Sequence, residues 1–513
     1  MTDRAGVIDI GSNTIRLVLF KRNPSGRNFN EIENIKVPAR LRSYIDEDYS
    51  LNQEGIQILI DALQDFKKII HHEGIRDITC VATAAIRQAA NQEDILRMVK
   101  DKTGIVISLL SGYEEAYYGY VSVIHSTNIK EGITIDVGGG STEVTYFRDR
   151  KLIHSHSFPF GALSLKLQFV KGNIPTEQEW EQIHDYVLSQ MIQLPWLREK
   201  GVPVIAMGGS ARNVVQLHQR YTRYPIGGIH QYEMPVSDLR KVKEKLLPLS
   251  YPELQKTEGL SKDRADTILP AFEVFEVLCD LTKAAKFVLS IKGLREGILY
   301  QKWVNQTHEM IPLADESLQE FIKNFNVNSQ DTNQITKIAS VLFNQVKKIN
   351  GIECSFSEED DELLRRGAQV FHLGGIPDAE SSSLTFSLLA NRTLLGFSHR
   401  DRVKLALIAS YKGKGTFQNY IQPFKERYTK EEQFKLCILG AILKISQSLN
   451  FSHRNIVTDL KIISKEDQWL MEIHCKEYFQ SEQYHFEKQK KHLEKLVKTP
   501  IAAQFQIPKA ESD

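Results

Sequence analysis

A chain of 513 residues is too long for one ordinary domain, and roughly three or four domains are expected. Its 42% hydrophobic and 25% charged residues are typical of a globular protein, and a formal net charge of +1 argues against a general affinity for nucleic acid. A polyanionic ligand must then be bound by local donors rather than by the overall electrostatic field of the protein.

The N-terminal residues and the cysteines indicate where the protein works. A strand-like run begins at Val7, which leaves no room for a signal peptide, and no apolar run approaches the roughly 20 residues of a membrane span. The five cysteines are scattered and odd in number, which predicts reduced thiols rather than disulfides or a zinc site. We therefore expect a cytoplasmic protein without stable membrane insertion.

An internal sequence repeat is the most informative feature of the chain. Residues 7–20 read VIDIGSNTIRLVLF, and residues 134–147 read TIDVGGGSTEVTYF. Each run has a strand-like stretch that contains Asp, a turn rich in Gly, Ser and Thr, and a second strand-like stretch, which predicts a β-hairpin. Two such hairpins predict two related halves, with a boundary near residues 125–131.

Strand and helix patterns alternate on both sides of the second hairpin, which predicts an α/β architecture. A helix pattern runs from Ile56 to Ile70 with Asn52 as a plausible N-cap. Further helices are predicted near residues 92–100 and 267–285, and strands at residues 78–82, 106–110, 202–207 and 287–290.

After about residue 305 the patterns become mostly helical, and a small α+β unit ends the chain. Helices are predicted at 331–349, 359–372, 401–411, 431–449 and 480–497, and strands at 456–463, 469–473 and 501–507. The predicted domains are residues 1–126, 127–304, 305–452 and 453–513.

Glycine-rich turns after strands can bind phosphate, because their backbone N–H groups converge on anionic oxygens without obstruction by side chains. One such turn can simply satisfy local turn geometry, but two in equivalent positions favour a phosphate site. No Walker-type sequence is present. The candidate contacts are Gly11, Ser12, Asn13 and Thr14, then Gly138, Gly139, Gly140 and Ser141, and a third turn with Gly208, Gly209 and Ser210.

Three carboxylates accompany these turns. Asp9 and Asp136 precede them, and Glu143 follows the second turn. As unpaired acids they would repel phosphate, so we predict that they hold Mg²⁺, which neutralises phosphate charge.

A second acidic segment begins at Ser111. Ser111 and Glu114 form a predicted capping box, which explains Glu114 without a catalytic role. Glu115 has no such structural explanation; spacing alone favours an exposed position on the helix, with a general base for hydrolysis as the alternative.

Two further segments carry arginines after predicted strands. Arg87 closes a loop after a strand, where a phosphate contact and a surface ion pair are equally plausible. Arg295 and Glu296 are interpreted as a structural ion pair within the second half.

Taken together, the motifs resemble the exopolyphosphatase and guanosine pentaphosphate phosphohydrolase family, which has the actin-like ATPase and sugar kinase superfold. In order they are D-I-G-S-N-T at Asp9, A-T-A-A-I-R at Ala82, S-G-Y-E-E-A at Ser111, D-V-G-G-G-S-T-E at Asp136, G-G-S at Gly208 and G-L-R-E-G at Gly293. The resemblance covers about residues 5–303. It implies two duplicated actin-like (ribonuclease H-like) α/β domains, an all-α HD-like domain and a small C-terminal α+β domain, most like the long exopolyphosphatases.

The resemblance also implies roles for individual residues. Glu115 becomes the general base, against the expectation from spacing, and Asp136, Gly138 and Glu143 form the catalytic phosphate and metal site. Asp9, Ser12, Asn13 and Arg87 become phosphate contacts, and Gly208, Gly209 and Ser210 form a loop in the second half. Mg²⁺ is the implied cofactor, K⁺ an implied activator, and a homodimer the implied assembly.

The helical domain departs from the HD pattern, which needs adjacent His-Asp pairs. Residues 371–374 read Phe-His-Leu-Gly, and the literal pair His184-Asp185 is interpreted as surface helix. We therefore expect no second active site there, but a role in dimerisation or as a channel wall for a long substrate.

The predicted function is processive release of orthophosphate from inorganic polyphosphate by glutamate-activated water. Hydrolysis of guanosine pentaphosphate (pppGpp) to the tetraphosphate (ppGpp) is the nearest alternative, because it would use the same site. A small-molecule kinase of the same superfold and a non-catalytic polyphosphate sensor are more distant alternatives.

Overall fold

The computed structural model describes residues 3–23, 28–303, 312–325, 327–349, 352, 354–373, 379–465 and 467–507. The chain divides into two compact units. Unit 1 comprises Met1–Tyr224 and Ile229–Met310, and unit 2 comprises Pro225–Gly228 and Ile311–Asp513. The four predicted domain ranges stay predictions, and the boundary between residues 304 and 305 lies outside the described residues.

The first half of unit 1 is a five-stranded sheet with flanking helices. The strand order is β3-β2-β1-β4-β5, in which β1, β2 and β3 are antiparallel neighbours and β4 and β5 continue parallel to β1. The elements are β1 (Arg4–Ile10), β2 (Ile15–Arg22), β3 (Phe29–Val37), α1 (Gln53–His72), β4 (Ile78–Ala82), α2 (Ala84–Arg87), α3 (Gln92–Thr103), β5 (Ser108–Leu109) and α4 (Gly112–Ser126), with a 3-10 turn at Leu41–Tyr44. The predicted cap of α1 is confirmed, because the Asn52 side chain accepts the Gly55 N–H at 3.0 Å.

The second half repeats this plan. Its strand order is β10-β11-β9-β6-β7-β8, so the antiparallel set β8-β7-β6 and the parallel strands β9 and β11 match β3-β2-β1, β4 and β5. The predicted internal duplication is therefore confirmed. The elements are β6 (Gly132–Val137), β7 (Thr142–Arg148), β8 (Lys151–Phe158), α5 (Ala162–Phe169), α6 (Glu177–Met191), β9 (Val204–Met207), α7 (Gly208–Tyr221), β10 (Glu233–Pro235), α8 (Val236–Leu246), α9 (Tyr251–Lys256), α10 (Ile268–Thr282), β11 (Lys286–Leu289) and α11 (Leu294–Trp303), with 3-10 turns at Pro195–Leu197 and Lys262–Arg264.

One local prediction needs correction. The third glycine-rich turn is not a separate turn, because Gly208 is the first residue of α7. The prediction that His184-Asp185 lies on a surface helix is confirmed: both residues lie on α6, Asp185 is exposed, and the half-exposed His184 places its Nδ1 2.6 Å from Glu273 Oε1 of α10.

Helices α4 and α11 cross between the two sheets and join the halves. Their core includes Phe29, Tyr120, Phe147 and Trp303. At the crossing, a Cβ added to Gly297 would lie 1.9 Å from the Tyr118 carbonyl oxygen, so the helix backbones nearly touch. Only glycine allows this approach.

Unit 2 is a set of helices followed by a three-stranded sheet. Strand β13 is antiparallel to β12 and parallel to β14, and two helices cross over between β13 and β14. The single helix predicted at 480–497 is two helices. The elements are α12 (Leu313–Lys323), α13 (Ser329–Val346), α14 (Glu358–Gln369), α15 (Ala379–Asn391), α16 (His399–Ala409), α17 (Lys414–Ile421), a 3-10 turn at Gln422–Arg427, α18 (Lys430–Ser448), β12 (Val457–Ser464), β13 (Trp469–Cys475), α19 (Gln480–Gln489), α20 (Lys491–Val497) and β14 (Ile501–Gln506).

Three features of the whole chain bear on the predictions. None of the helices in the described ranges combines the length and apolar character that a membrane crossing needs. All five cysteines are free thiols; Cys354 is partly exposed, and the other four are buried. His372 is buried with its Nε2 3.3 Å from the Tyr411 carbonyl oxygen, whereas Gly374 of the same predicted segment lies outside the described residues.

Candidate active site

A polar cavity of about 160 Å³ lies between the two halves of unit 1. It is formed where β1, β6 and β9 end and where α4 and α11 begin. Fourteen of the sixteen residues predicted for the site line this cavity: Asp9, Gly11, Ser12, Asn13, Thr14, Glu115, Asp136, Gly138, Gly139, Gly140, Ser141, Glu143, Gly208 and Gly209. The other two, Arg87 and Ser210, are not among its lining residues, but each contacts one: Arg87 contacts Glu115, and Ser210 contacts Arg264.

The two hairpin turns face each other across the cavity. A Cβ added to Gly139 would lie 2.9 Å from the Ser12 Cβ, and one added to Gly140 would lie 2.7 Å from the Ser12 Oγ. Within each turn, an amide closes the loop: Gly11 N donates to Thr14 O and Gly138 N to Ser141 O, both at 3.0 Å. Turns held in this way present backbone amides and hydroxyls to a common anion.

The strand-end aspartates lie on opposite sides of the cavity and differ in their partners. Asp9 Oδ2 accepts from Arg295 Nη1 at 2.9 Å. Asp136 is packed against the start of α7, where Gly208 has a φ of 84° and a Cβ would lie 2.3 Å from Asp136 Oδ1. Burial, with a contribution from the charge of Asp9, raises the pKa of Asp136 to about 6.

Glu115 is buried, so the expectation of an exposed helix position is wrong. Its side chain is 9% exposed, and its Oε2 accepts from Arg87 Nη1 at 2.5 Å. Burial raises the pKa of Glu115 to about 7; the Arg87 guanidinium opposes this shift, and Asp9 and Asp136 add to it. A carboxylate whose pKa is near neutrality can accept a proton during a reaction at physiological pH.

The neighbours of Glu115 explain how its side chain is held at the cavity wall. Glu114 is occupied by the predicted capping box, which is confirmed: Ser111 N donates to its Oε2 at 2.8 Å. Arg87 also donates to Leu110 O at 2.7 Å, so its guanidinium anchors the start of α4 rather than lining the cavity. Arg87 is not among the residues that line the cavity, and the predicted phosphate contact at Arg87 stays a prediction.

Glu143 is the second buried carboxyl beside Glu115. Ser157 Oγ donates to its Oε1 at 2.8 Å. Burial raises the pKa of Glu143 well above its usual range, and the nearby Glu115 adds to the shift. The two carboxyl groups thus disfavour each other's ionisation in a buried place.

Four arginines that the sequence analysis did not assign to the site line the cavity: Arg16, Arg212, Arg264 and Arg295. Burial first, and then the charges of Arg295 and Arg212, lower the pKa of Arg16 to about 10. Burial also lowers the pKa of Arg212 and Arg264. Mutually repelling guanidinium groups in one cavity are stabilised by an anion with several charges.

The predicted ion pair between Arg295 and Glu296 is wrong. Arg295 does not form its ion pair with Glu296; it contacts Asp9 of the other half, and Glu296 accepts the Gly293 N–H at 3.0 Å. The Arg295 Nε is buried without a hydrogen-bond partner among the described residues, as is Asn13 Oδ1.

The sequence carried a signal for some of the missed residues. Arg16 is the cross-strand partner of Asp9 in the predicted hairpin, and Arg212 lies just after the third glycine-rich motif. Thr83, which also lines the cavity, lies in the A-T-A-A-I-R motif. Arg264 lies in a 3-10 turn for which no helix or strand pattern was evident.

The three predicted metal ligands, Asp9, Asp136 and Glu143, all line the cavity, and the Mg²⁺ site stays a prediction. In the part of the chain that the structure describes, no three His, Cys, Asp or Glu side chains form a group that could hold a metal ion. Asp9 is engaged by Arg295, whereas Asp136 and Glu143 offer hard oxygen donors at the cavity wall. This set fits Mg²⁺, which commonly uses one or two carboxylates together with water and phosphate oxygens.

Comparisons with known proteins agree with this fold. Exopolyphosphatase 1 of Mycobacterium tuberculosis is 25% identical to this chain over 304 residues, or 58% of this chain and 88% of the relative. A Ppx/GppA family member from Aquifex aeolicus superimposes with a TM-score of 0.52 at 25% identity, covering 60% of this chain and 99% of that protein. An exopolyphosphatase from Cytophaga hutchinsonii, 20% identical with a TM-score of 0.54, shares the fold over 59% of this chain and 99% of its own.

Family models extend the match over most of the chain. The Ppx/GppA phosphatase family model matches residues 19–306, and the model of Ppx/GppA phosphatase domain III matches residues 314–492. The predicted fold class, with duplicated actin-like halves followed by a helical region and a small sheet, is confirmed. From the fold and the two family matches, we conclude that this chain belongs to the Ppx/GppA phosphatase family.

Proposed function

We propose that the protein is an exopolyphosphatase, which releases the terminal orthophosphate of inorganic polyphosphate. The observation that carries this proposal is the position of Glu115, a buried carboxyl with a raised pKa, in a cavity lined by two facing glycine-rich turns and four arginines. The relative from M. tuberculosis, which is named exopolyphosphatase 1, supports the same activity.

The proposed reaction uses the residues in defined roles. The turns at Gly11–Thr14 and Gly138–Ser141, with Arg16, Arg212 and Arg264, bind the terminal phosphate. Glu115 accepts a proton from a water molecule while the water oxygen attacks the terminal phosphorus. The bond from that phosphorus to the bridging oxygen breaks, and the shortened polyphosphate leaves with the bridging oxygen. Arg87 positions Glu115 for this step.

Mg²⁺ belongs to this proposal as the cofactor, and Asp136 and Glu143 are the residues that would hold it. When bound, it would neutralise charge on the phosphate oxygens. K⁺ activation, a cytoplasmic location and a homodimeric state are implied by the family resemblance and form part of the same proposal; light scattering of the purified protein tests the dimer.

The size of the cavity suits the phosphate end of a substrate rather than a whole organic ligand. About 160 Å³ is well below the roughly 300–1,000 Å³ that encloses a typical organic ligand, so the cavity accommodates phosphate groups rather than a nucleoside. The remainder of a polymer must extend out of the cavity. We propose that successive phosphates are then removed without release of the chain, a property that sampling of intermediate lengths would test.

The decisive experiment is a phosphate-release assay with long-chain polyphosphate and Mg²⁺, using the wild type and Glu115→Gln. We expect the variant to lose activity by about 10²–10⁴-fold, because glutamine cannot accept the proton. Chelation of Mg²⁺ should abolish release, and its restoration should recover it.

Glu114→Gln is the matched control, since Glu114 is the adjacent glutamate and glutamine can still form the capping box. It should retain activity close to that of the wild type. Phosphate release by Glu115→Gln at the wild-type rate would remove Glu115 from the mechanism, and no release by the wild type from polyphosphate would refute the proposed substrate.

Guanosine pentaphosphate is the second candidate substrate, because the matched family joins the two activities in its name. Its terminal phosphate could enter the same cavity and react in the same way. Parallel assays with long polyphosphate and pppGpp at equal concentrations of phosphate ends distinguish them by the ratio of kcat/KM. We expect the ratio to favour polyphosphate.

A further inference from the structure

A bridge of ion pairs crosses the cleft of unit 1 beside the cavity. Arg40, which follows β3 in the first half, places its Nη2 2.8 Å from Asp266 Oδ1 and 2.9 Å from Asp266 Oδ2 in the second half. The same nitrogen lies 3.2 Å from the Asp263 carbonyl oxygen. Lys36 of β3 adds a second pair, with its Nζ 2.6 Å from Asp263 Oδ2.

The two pairs of this bridge differ in burial. Lys36 and Asp263 are 32% and 26% exposed, so water screens their attraction. Asp266 is only 5% exposed, and a buried carboxylate without its partner is strongly disfavoured. Arg40 is therefore the dominant member of the bridge.

The backbone of Arg40 contacts the first phosphate turn. Its N–H donates to Asn13 O at 3.0 Å, and two residues later Arg42 N donates to Ser12 O at 3.2 Å. Arg40 itself has a φ of 47°, a left-handed conformation that is costly for a residue with a side chain and persists only where its surroundings hold it.

Arg264 lies between the two bridged acids in the sequence; it lines the cavity and donates from Nη1 to Ser210 Oγ at 3.2 Å. Asp263 precedes it directly, and Asp266 follows in the same turn, where Thr267 N donates to Arg264 O at 3.1 Å. The side chain of Arg40 thus contacts the turn that carries Arg264, and the backbone of Arg40 contacts the turn that carries Asn13.

We propose that Arg40, assisted by Lys36, is a positioning residue that fixes Arg264 of the second half against the phosphate turn of the first half. Arg40 acts through Arg264 and does not itself touch the substrate. This inference rests on the proposed phosphatase function of the cavity. The ion pair between Arg40 and Asp266 thus lies outside the cavity wall but affects the rate of the reaction inside it.

A double-mutant cycle between Arg40 and Arg264 tests the inference by kinetics. Arg40→Ala is expected to lower kcat/KM about tenfold in the wild-type background and less than about twofold in the Arg264→Ala background, because Arg264 is then absent. Arg40→Lys, which keeps the charge, should recover part of the loss. The same tenfold effect in both backgrounds, or no effect in the wild type, would overturn the proposal.

Arg42→Ala is the matched control, since Arg42 lies in the same segment but its Nη1 contacts Gln88 Oε1, at 3.1 Å, within the first half. It should leave kcat/KM near the wild-type value. A tenfold loss in Arg42→Ala as well would indicate general disturbance of the segment and overturn the specific role of Arg40.

Hydrogen exchange supplies a readout that does not need activity. Arg40→Ala should increase amide exchange at residues 261–267, in the opposite half, whereas Arg42→Ala should not. Unchanged exchange there refutes the bridge even if the protein hydrolyses polyphosphate. If the wild type releases no phosphate from any substrate, the proposed function fails, and faster exchange in Arg40→Ala would still support the positioning of this turn.

Discussion

At the scale of single residues, Arg87 lies behind Glu115 rather than in the cavity, and this position makes its role testable. Because Arg87 contacts the proposed base and the start of α4, Arg87→Gln should lower kcat about 10–100-fold with KM changed less than about twofold. Steady-state phosphate release measures both constants. Arg97→Gln, at an exposed ion pair on α3, is the control and should leave both unchanged.

A raised KM with an unchanged kcat in Arg87→Gln would instead support the direct phosphate contact that the sequence suggested. The two roles differ because a group that binds the substrate equally in the ground and transition states affects KM, whereas one that positions the base affects kcat.

Lys444 of α18 is the second residue with a measurable consequence. It is buried, its Nζ donates to the Lys412 carbonyl oxygen, and burial, with the charges of Lys412 and Lys491, lowers its pKa from 10.5 to about 8. Below pH 8 the folded state carries a buried cation. Between pH 8 and 10.5 only the unfolded state retains the proton, so the contribution of this group to stability rises with pH.

Lys444→Met should therefore raise the melting temperature at pH 7 by about 3 °C, and this gain should shrink as the pH rises toward 9.5. Calorimetry of both proteins at the two pH values measures the difference. An equal difference at pH 7 and pH 9.5 would show that the charge of Lys444 costs the folded state nothing.

At the scale of elements, the crossing of α4 and α11 depends on Gly297. A methyl group there would overlap the Tyr118 carbonyl, and neither helix backbone can move without disturbing the core that joins the halves. Gly297→Ala should destabilise unit 1 by about 1–3 kcal/mol or more, seen as a lower midpoint of urea unfolding.

Gly415 of α17 provides the contrasting substitution. A Cβ there meets nothing within 4 Å, so Gly415→Ala should stabilise the helix by roughly 0.5–1 kcal/mol. Equal effects of the two substitutions would contradict the proposed close packing at the crossing.

The elements also indicate which parts of the fold the sequence could predict. Strand β4 has the predicted bounds, and α1 begins after the predicted cap, because alternating or amphipathic patterns and capping residues are local signals. Strand β3 escaped prediction because six of its nine residues are exposed and five of these six are polar, so its sequence lacks an apolar alternation. Its pairing with β2 is a property of the sheet rather than of its own sequence.

At the scale of the whole molecule, unit 1 corresponds in extent to complete relatives. The A. aeolicus protein is matched over 99% of its length by 60% of this chain. We therefore expect a chain that ends at Trp303 to fold and to release phosphate from polyphosphate. Circular dichroism and the release assay check the two expectations, and an aggregated product from several expression conditions would contradict them.

Only part of the candidate site could be predicted from the sequence, because local sequence signals do not encode packing. The facing turns and their acids could be located from two equivalent motifs far apart in sequence, because duplication places equivalent segments at equivalent sheet edges. The burial of Glu115 and the approach of Arg264 and Arg295 depend on how the two halves pack, and no local pattern encodes that packing. The resemblance to a family supplied the role of Glu115 that spacing alone had disfavoured.

The distribution of the thiols has a practical consequence for studying the protein. Four of the five cysteines are buried and Cys354 is partly exposed, so maleimide reagents should modify the native chain chiefly at Cys354, and slowly, because burial raises the pKa of that thiol to about 11. A fluorophore attached there would report on unit 2 without any engineered substitution, while unit 1, which carries the candidate active site, stays unlabelled.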